Sequence, residues 1–590
     1  MNFQFYNFTI FKRIIFCIIF LSGFLMWGNA EAATYYSDFS TGSDSNNGIS
    51  TATPWKHMPG MSGWTGSATL TSGDTIVLKG GVTWIFASTT DNLLTVSTSG
   101  ITIKGGQQLD TPWGNGHPVL DGLGTSASRD GIYINGVSNV VIDGLKIYRT
   151  YFDTGDDADA SGTGLEFRYA VNGLEIKNCI FDLCGVDSLG GNPSTGSNGI
   201  RIHHNTFSNS GRVHIMIDDN NSVDDIQIYN NILEGVGTWY PVYWEENLIS
   251  AAGSGYEVDD VVTVVQAGGS GATIRITSIN GSGGVTGLIT TSRGTGYHED
   301  LDTACNTING HGAGFKIYTG GYHGDGIMIG SDCTNPTNNC LTNTKIYNNI
   351  FRGDWSSAGA TALIYLNNGA GEGGTQYGGN HILIYNNQLA IDSEGIISPA
   401  YISIWSLWND IKIYNNTFGG YFAGGEWEVS SCISSWHEVT NIDIKNNIFS
   451  GATNSAVTIG TSAVATTLSA DYNLYSPELV RLLNGWPPGN ADCRTIPDAQ
   501  SSPFFQEAHG IQADPKFVTR PTGETNSGNW HLASDSPAIK AGVNLSSYFT
   551  TDCDGNTRPS SGAWDMGAYE YGVVSNDTTP PAAPSGLAVS

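Results

Sequence analysis

Residues 411–418 read IKIYNNTF, and 31 residues later the pattern returns as IDIKNNIF from Ile442. Towards the N-terminus it recurs as ILIYNNQL from Ile382, TKIYNNIF from Thr344, IQIYNNIL from Ile226, IRIHHNTF from Ile200 and LEIKNCIF from Leu174. VVIDGLKI from Val140 is a degenerate first copy. The first Asn-equivalent positions are Asn178, His204, Asn230, Asn348, Asn386, Asn415 and Asn446, at steps of 26, 26, 118, 38, 29 and 31 residues. Each copy alternates apolar and polar residues, bends at Asn-Asn and continues with a second apolar stretch, which reads as strand, corner, strand. Asn tolerates the left-handed backbone of such a bend, and its amide can bond to the Asn of the next copy, so these positions are expected to form a ladder. Repeats of this length without helical periodicity predict a parallel β-helix, each coil burying its inner face on its neighbours.

The composition agrees. With 39% hydrophobic, 13% charged and 77 Gly in 590 residues, the chain is too aromatic for disorder and too Gly-rich and charge-poor for a helical protein. A formal charge of −29 excludes nucleic acid and an anionic membrane surface as main partners, since both demand basic patches.

Lys12 and Arg13, the apolar run Ile14 to Trp27 and Ala30-Glu31-Ala32 form the three parts of a secretory signal, so residues 1–32 are read as a leader and the protein as secreted or cell-surface. The mature chain is expected not to insert in a membrane and to be a monomer. In an oxidising compartment the eight remaining cysteines favour disulfides, with Cys179–Cys184 and Cys333–Cys340 as local pairs.

Taken together, the repeats, the opening TYYSDFSTGSDSNNGISTATPWKHM and SGDTIVLKGG, and the closing ADPKFV, WHLASDSPAIKAG and DCDGNTRPSSGAWDMGAYEY resemble the right-handed parallel β-helix, or pectate-lyase-like, superfamily. The closing part is similar to secreted proteins of the choice-of-anchor Q type. The resemblance implies an all-β solenoid over 33–237 and 323–572 and leaves the activity open, because one solenoid hosts lyases, hydrolases, epimerases and adhesins. Residues 238–322 interrupt the repeat and carry a duplication. GSGY at 253 precedes GATIRI at 271, and GTGY at 294 precedes GAGFKI at 312, both offset by 18. This predicts a small inserted β module. Residues 573–590 are similar to a linker and the first strand of a fibronectin type III domain.

Function in a solenoid is sought among outward residues that stack from coil to coil. A second strand series (GIYIN, GLEFRY, VHIMID, GIMIG, ALIYLN, YISIW, CISSW) is expected to turn Tyr133, Glu166, Arg168, His214, Met216, Asp218, Met328, Tyr365, Asn367, Tyr401, Ser403, Trp405, Ser434 and Trp436 outward. Aromatic rings with polar neighbours suit sugars, whose C–H faces lie on rings while hydroxyls find polar partners, so Tyr133, Tyr365, Trp405 and Trp436 are candidate glycan contacts.

For β-elimination on a uronate, a base must take the C5 proton while a cation neutralises the carboxylate. His214, Arg168 and Arg212 are the catalytic candidates, and Glu166, Asp187, Asp218 and Asp219 are candidate Ca²⁺ ligands. The expected partner is thus a polysaccharide. A non-catalytic adhesin and an inverting hydrolase using Glu166 and Asp218 are the alternatives. His323-Gly-Asp325 is the runner-up site, and His437, Glu426 and Glu428 are weaker. His203-His204 reads as a substitution in the corner ladder.

Overall fold

A computed structural model describes residues 32–572 except 86–91, 123–129, 151–161, 236–248, 296–299, 320–324, 332–340, 356–361, 368–376, 392–399, 421–430, 436–438, 461–466, 488–492, 521–527 and a few single or paired positions. The expected leader and the fibronectin-like tail, together with Cys333, Cys340, His323, Glu426, Glu428, Trp436 and His437, lie outside these residues. Among those described, no helix is long and apolar enough to cross a membrane.

The chain winds as a right-handed parallel β-helix with three long sheets of 12, 11 and 12 strands. Each coil passes from sheet 1 through the Asn corner into sheet 3, and then on to sheet 2. In coil order, Glu175–Lys177 is followed by Ile180–Asp182 and Leu189–Pro193, and the next coil repeats this as Asn198–His203, Thr206–Ser208 and Ile215–Asp219. Alternation decides what fills the core. Ile176, Ile202, Ile228, Ile346, Ile384 and Ile413 form the inward column of sheet 1, while Phe181 and Phe207 stack at 4.9 Å beneath sheet 3. All of these are fully buried.

The corner divides its work between the two asparagines. The first position carries the bend, with φ of 53° at Asn178, 54° at His204 and 50° at Asn415. The second position carries the ladder, which corrects the expectation that the first would do both. Asn205, Asn231, Asn349, Asn387, Asn416, Asn447 and Asn473 are buried, each side-chain amide donating to the next side-chain oxygen at 2.9 to 3.1 Å, until Asn473 ends the series on Glu507 at 2.7 Å. Asn387 shows the saturation of each step: its oxygen accepts from the backbone and side chain of Asn349 at 3.0 and 3.1 Å, and its amide also donates to the Ile346 carbonyl at 2.9 Å. Such a column adds a full set of hydrogen bonds to the interior without leaving a polar atom stranded.

The ladder passes directly from Asn231 to Asn349 at 3.0 Å, so the coil closes over the intervening segment as though it were absent. That segment contains a separate six-stranded antiparallel sheet between Ile249–Ser254 and Ala313–Thr319, with its own core of Tyr256, Val262, Ile274, Ile276, Phe315 and Ile317.

At the other end, residues 543–570 strap across the corner. Arg558 is 1% exposed and donates to Glu570 at 2.8 Å and to Asn386 at 3.0 Å, while Asn415 donates to the Asp565 carbonyl at 3.0 Å.

Cys179 and Cys184 are both buried, and no disulfide joins them. The residues between them include the strand Ile180–Asp182 of sheet 3. Burial pushes the Cys179 thiol up to about 12.

Candidate functional site

Sheet 2 brings most of the expected site residues onto neighbouring rungs. Its register aligns Tyr133, Glu166, Gly190, Met216, Met328, Tyr365, Ser403 and Ser434 in one outward column. Two residues further along each strand, Asn135, Arg168 and Asn192 form a second column, which Asp218, Gly330 and Asn367 continue. Ser403 and Ser434 occupy outward positions and are nonetheless buried.

The first cluster centres on two carboxyls. Asp130 precedes its strand at the buried corner, where its Oδ1 accepts the Thr163 amide at 3.2 Å. Burial raises the Asp130 pKa well above the carboxylate range, reinforced by the charge of Glu166 and by a hydrogen bond between the two side chains. The direction of this shift favours a proton on Asp130 at a pH where an isolated Asp would have lost it. Asp130 is 3% exposed, whereas the Glu166 side chain is 15% exposed and accepts from Arg168 Nε at 2.5 Å. Tyr133 lies beside them. Its hydroxyl pKa is raised by burial and by the neighbouring Tyr169 and Glu166. Asp130 was missed in the sequence because a lone Asp before a Gly reads as a turn. Its rung alignment with Asp187 and Asp325, both two residues before a sheet 2 strand, was the available signal.

One rung beyond Glu166, Gly190 leaves the outward column without a side chain. The Asp187 Oδ2 lies 3.7 Å from where its Cβ would stand. Asp187 is held by Arg212, Nε to Oδ1 at 2.9 Å and a terminal nitrogen to Oδ2 at 2.6 Å. Asp218 follows on the next rung, opposite Gly330, where any Cβ would meet Asp218 Oδ1 at 2.4 Å. Two rungs of ~4.8 Å and two residues of ~3.3 Å separate the backbones of Glu166 and Asp218 diagonally, roughly 12 Å, wider than the direct stacking expected for an inverting pair. Asp219 ends the same strand.

The expected base is placed differently. His214 is fully buried, one residue before the first inward position of its strand, with Trp355 edge-on at 5.6 Å and its Nε2–H donating to the Glu234 carbonyl at 2.8 Å. Burial depresses its pKa to about 4. The apolar Val-His-Ile-Met-Ile setting turned His214 inward because the coil bends there and the strict alternation assumed for an extended strand fails. Tyr401 is buried for the same reason at the equivalent rung position, its hydroxyl donating to the Gly419 carbonyl at 2.7 Å.

Two of the four expected Ca²⁺ ligands have other partners. Glu166 is engaged by Arg168 and Asp130, and Asp187 by both arms of Arg212, so these carboxylates already have cationic or protonated partners. Among the described residues no group of three or more His, Cys, Asp or Glu is disposed to hold a metal ion.

Further along the sheet the face becomes aromatic. Trp405 is half-buried and packs edge-to-face on Tyr365 with ring centroids 6.3 Å apart. Asp325, the described part of the runner-up site, is buried and accepts the Ala362 amide at 2.8 Å. Burial, together with the Asp325 charge, pushes the Tyr365 hydroxyl pKa upward.

No family model matches the chain, and no curated relative does. Among solved structures, pectate lyase Pel9A is similar at 16% identity over 92% of this chain and 97% of that one, with a TM-score of 0.41. A rhamnogalacturonan lyase is similar at 13% identity over 75% and 87%, TM-score 0.33, and a lacto-N-biosidase from Eubacterium ramulus at 10% over 85% and 68%, TM-score 0.34. The β-helix stands on the pairing of its own sheets, and the chemistry on the residues of sheet 2.

Proposed function

We propose that this protein is a secreted, carbohydrate-active β-helix that hydrolyses glycosidic bonds with carboxyl groups on the outer face of sheet 2. The observation that carries the reading is the placement of two carboxyls on neighbouring rungs, Asp130 buried with its pKa raised by burial and by the charge of Glu166, and Glu166 more exposed beside it. Glycoside cleavage needs a protonated carboxyl to deliver a proton to the departing oxygen, and a second carboxylate to activate water or attack the anomeric carbon. Asp130 is the buried proton reservoir of the pair, and Glu166, its more exposed member, presents the proton to the substrate. Arg168 fixes the orientation of Glu166. Asp187, on the next rung and oriented by Arg212, is the carboxylate available for the second role. Tyr133, Tyr365 and Trp405 provide ring surfaces along the same face for neighbouring sugars.

β-Elimination is the weaker reading because its intended base, His214, is enclosed and both guanidinium groups of the site are paired. The test is to incubate the mature chain with a panel of polysaccharides, with and without Ca²⁺, reading reducing ends and the ultraviolet absorbance of unsaturated products. Reducing ends without absorbance, lost in Glu166→Gln, support hydrolysis. Absorbance establishes elimination instead. Glycan binding with neither product makes the protein an adhesin.

A further inference from the structure

We infer that the glycan handled by sheet 2 is an uncharged one, not a polyuronate. The inference rests on the reading of this face as the glycan site and adds the chemical class of the substrate. From Leu94–Val96 to Ser455–Ile459 the strands of sheet 2 contain a single Lys or Arg, Arg168. That side chain is paired with Glu166, and Arg212, which precedes a strand of the same sheet, is paired with Asp187. Asp218 and Asp325 add further carboxyls to this side of the solenoid.

Apart from Arg168 and, in the last strand of sheet 2, Arg481, the basic residues of the solenoid strands are placed on the other two sheets. Lys177, Lys345, Lys412 and Lys445 belong to strands of sheet 1, and Lys146 and Arg352 to strands of sheet 3. A uronate chain carries a carboxylate on every sugar and would meet like charge along sheet 2, with the local cations already engaged. An uncharged glycan incurs no such repulsion. Its hydroxyls can bond to the carboxylates, and its C–H faces can lie on Tyr365 and Trp405.

The experiment uses the full mature chain and its Glu166→Gln variant, which keeps the site's shape while stopping the chemistry. Retention of the variant in gels containing xylan, β-glucan, α-glucan, mannan or galactan is compared with retention in polygalacturonate or alginate, each with and without Ca²⁺. Product release by the wild type is followed in parallel. The expected result is retention by at least one uncharged glycan roughly tenfold stronger than by either polyuronate, persisting at raised salt. Equal or stronger retention by a polyuronate, or no retention by any uncharged glycan, overturns the inference. Reducing ends from a polyuronate alone overturn it, and if they appear without the ultraviolet absorbance of unsaturated products they leave hydrolysis standing. Retention by an uncharged glycan without cleavage supports the inference while removing the enzymatic reading.

Discussion

Two polar columns run along this solenoid on the same rung spacing, and they are built to opposite ends. At the Asn corner the side chains from Asn205 to Asn473 are alike, buried and mutually hydrogen-bonded. On the outer face of sheet 2 the corresponding rungs carry Tyr133, Glu166, Gly190, Met216, Met328 and Tyr365, no two neighbours alike except the methionines. Repetition lets every polar group find its partner one rung away, which is a structural solution. Departure from repetition places unlike groups side by side, as chemistry requires.

The largest effect that would break this comparison belongs to Glu166. Replacing it by Gln should lower glycan hydrolysis by about 10²- to 10⁴-fold, the range for removing a general acid, with little change in melting temperature. Because the proposed activity depends on the proton held at Asp130, the rate should fall as pH rises through the raised pKa of Asp130. An active Gln variant would reduce Glu166 to a surface ion-pair partner of Arg168.

On the ladder the cost should appear in stability. Asn387→Ala strands the Ile346 carbonyl and the two Asn349 donors, and is expected to cost about 2–4 kcal/mol in urea unfolding while sparing glycan binding. A loss of binding without a loss of stability would merge the two columns that we distinguish.

His214 tests the boundary between them through pH. Its folded pKa of about 4 lies below the ordinary histidine value of 6.5, so the unfolded chain binds a proton that the folded chain refuses. The stability contributed by the neutral ring is therefore present above the unfolded pKa and is lost as pH falls from about 6.5 to about 4. The loss is on the order of 3 kcal/mol at the acid end. Comparing the urea midpoints of wild type and His214→Gln across this range should show the variant with a shallower acid decline. Parallel curves would mean that His214 is already solvated in the native state.

The smallest effect is expected at Trp405, where Ala should weaken glycan binding by ~1 kcal/mol and leave the melting temperature nearly unchanged, since the ring is half-buried against Tyr365. A large drop in melting temperature with unaltered affinity would assign Trp405 to packing.

The amino-acid sequence by itself determined the solenoid. Strand, Asn-Asn corner and second strand are local patterns, and alternation of Ile with polar residues leaves one way to bury the apolar side when copies stack. It also determined which residues share the outward column, because Glu166, Met216, Met328 and Tyr365 occupy equivalent strand positions. The tertiary structure decided the rest. The ladder fell to the second Asn because the first is committed to the left-handed bend and turns its side chain off the interior axis. His214 was turned inward at a bend that strand periodicity does not encode. Asp130 acquired its proton from burial and from Glu166, 36 residues away in the chain and one rung away in space. A carboxyl's chemistry is set by the charges and solvent around it, and those neighbours exist only once the coils have stacked.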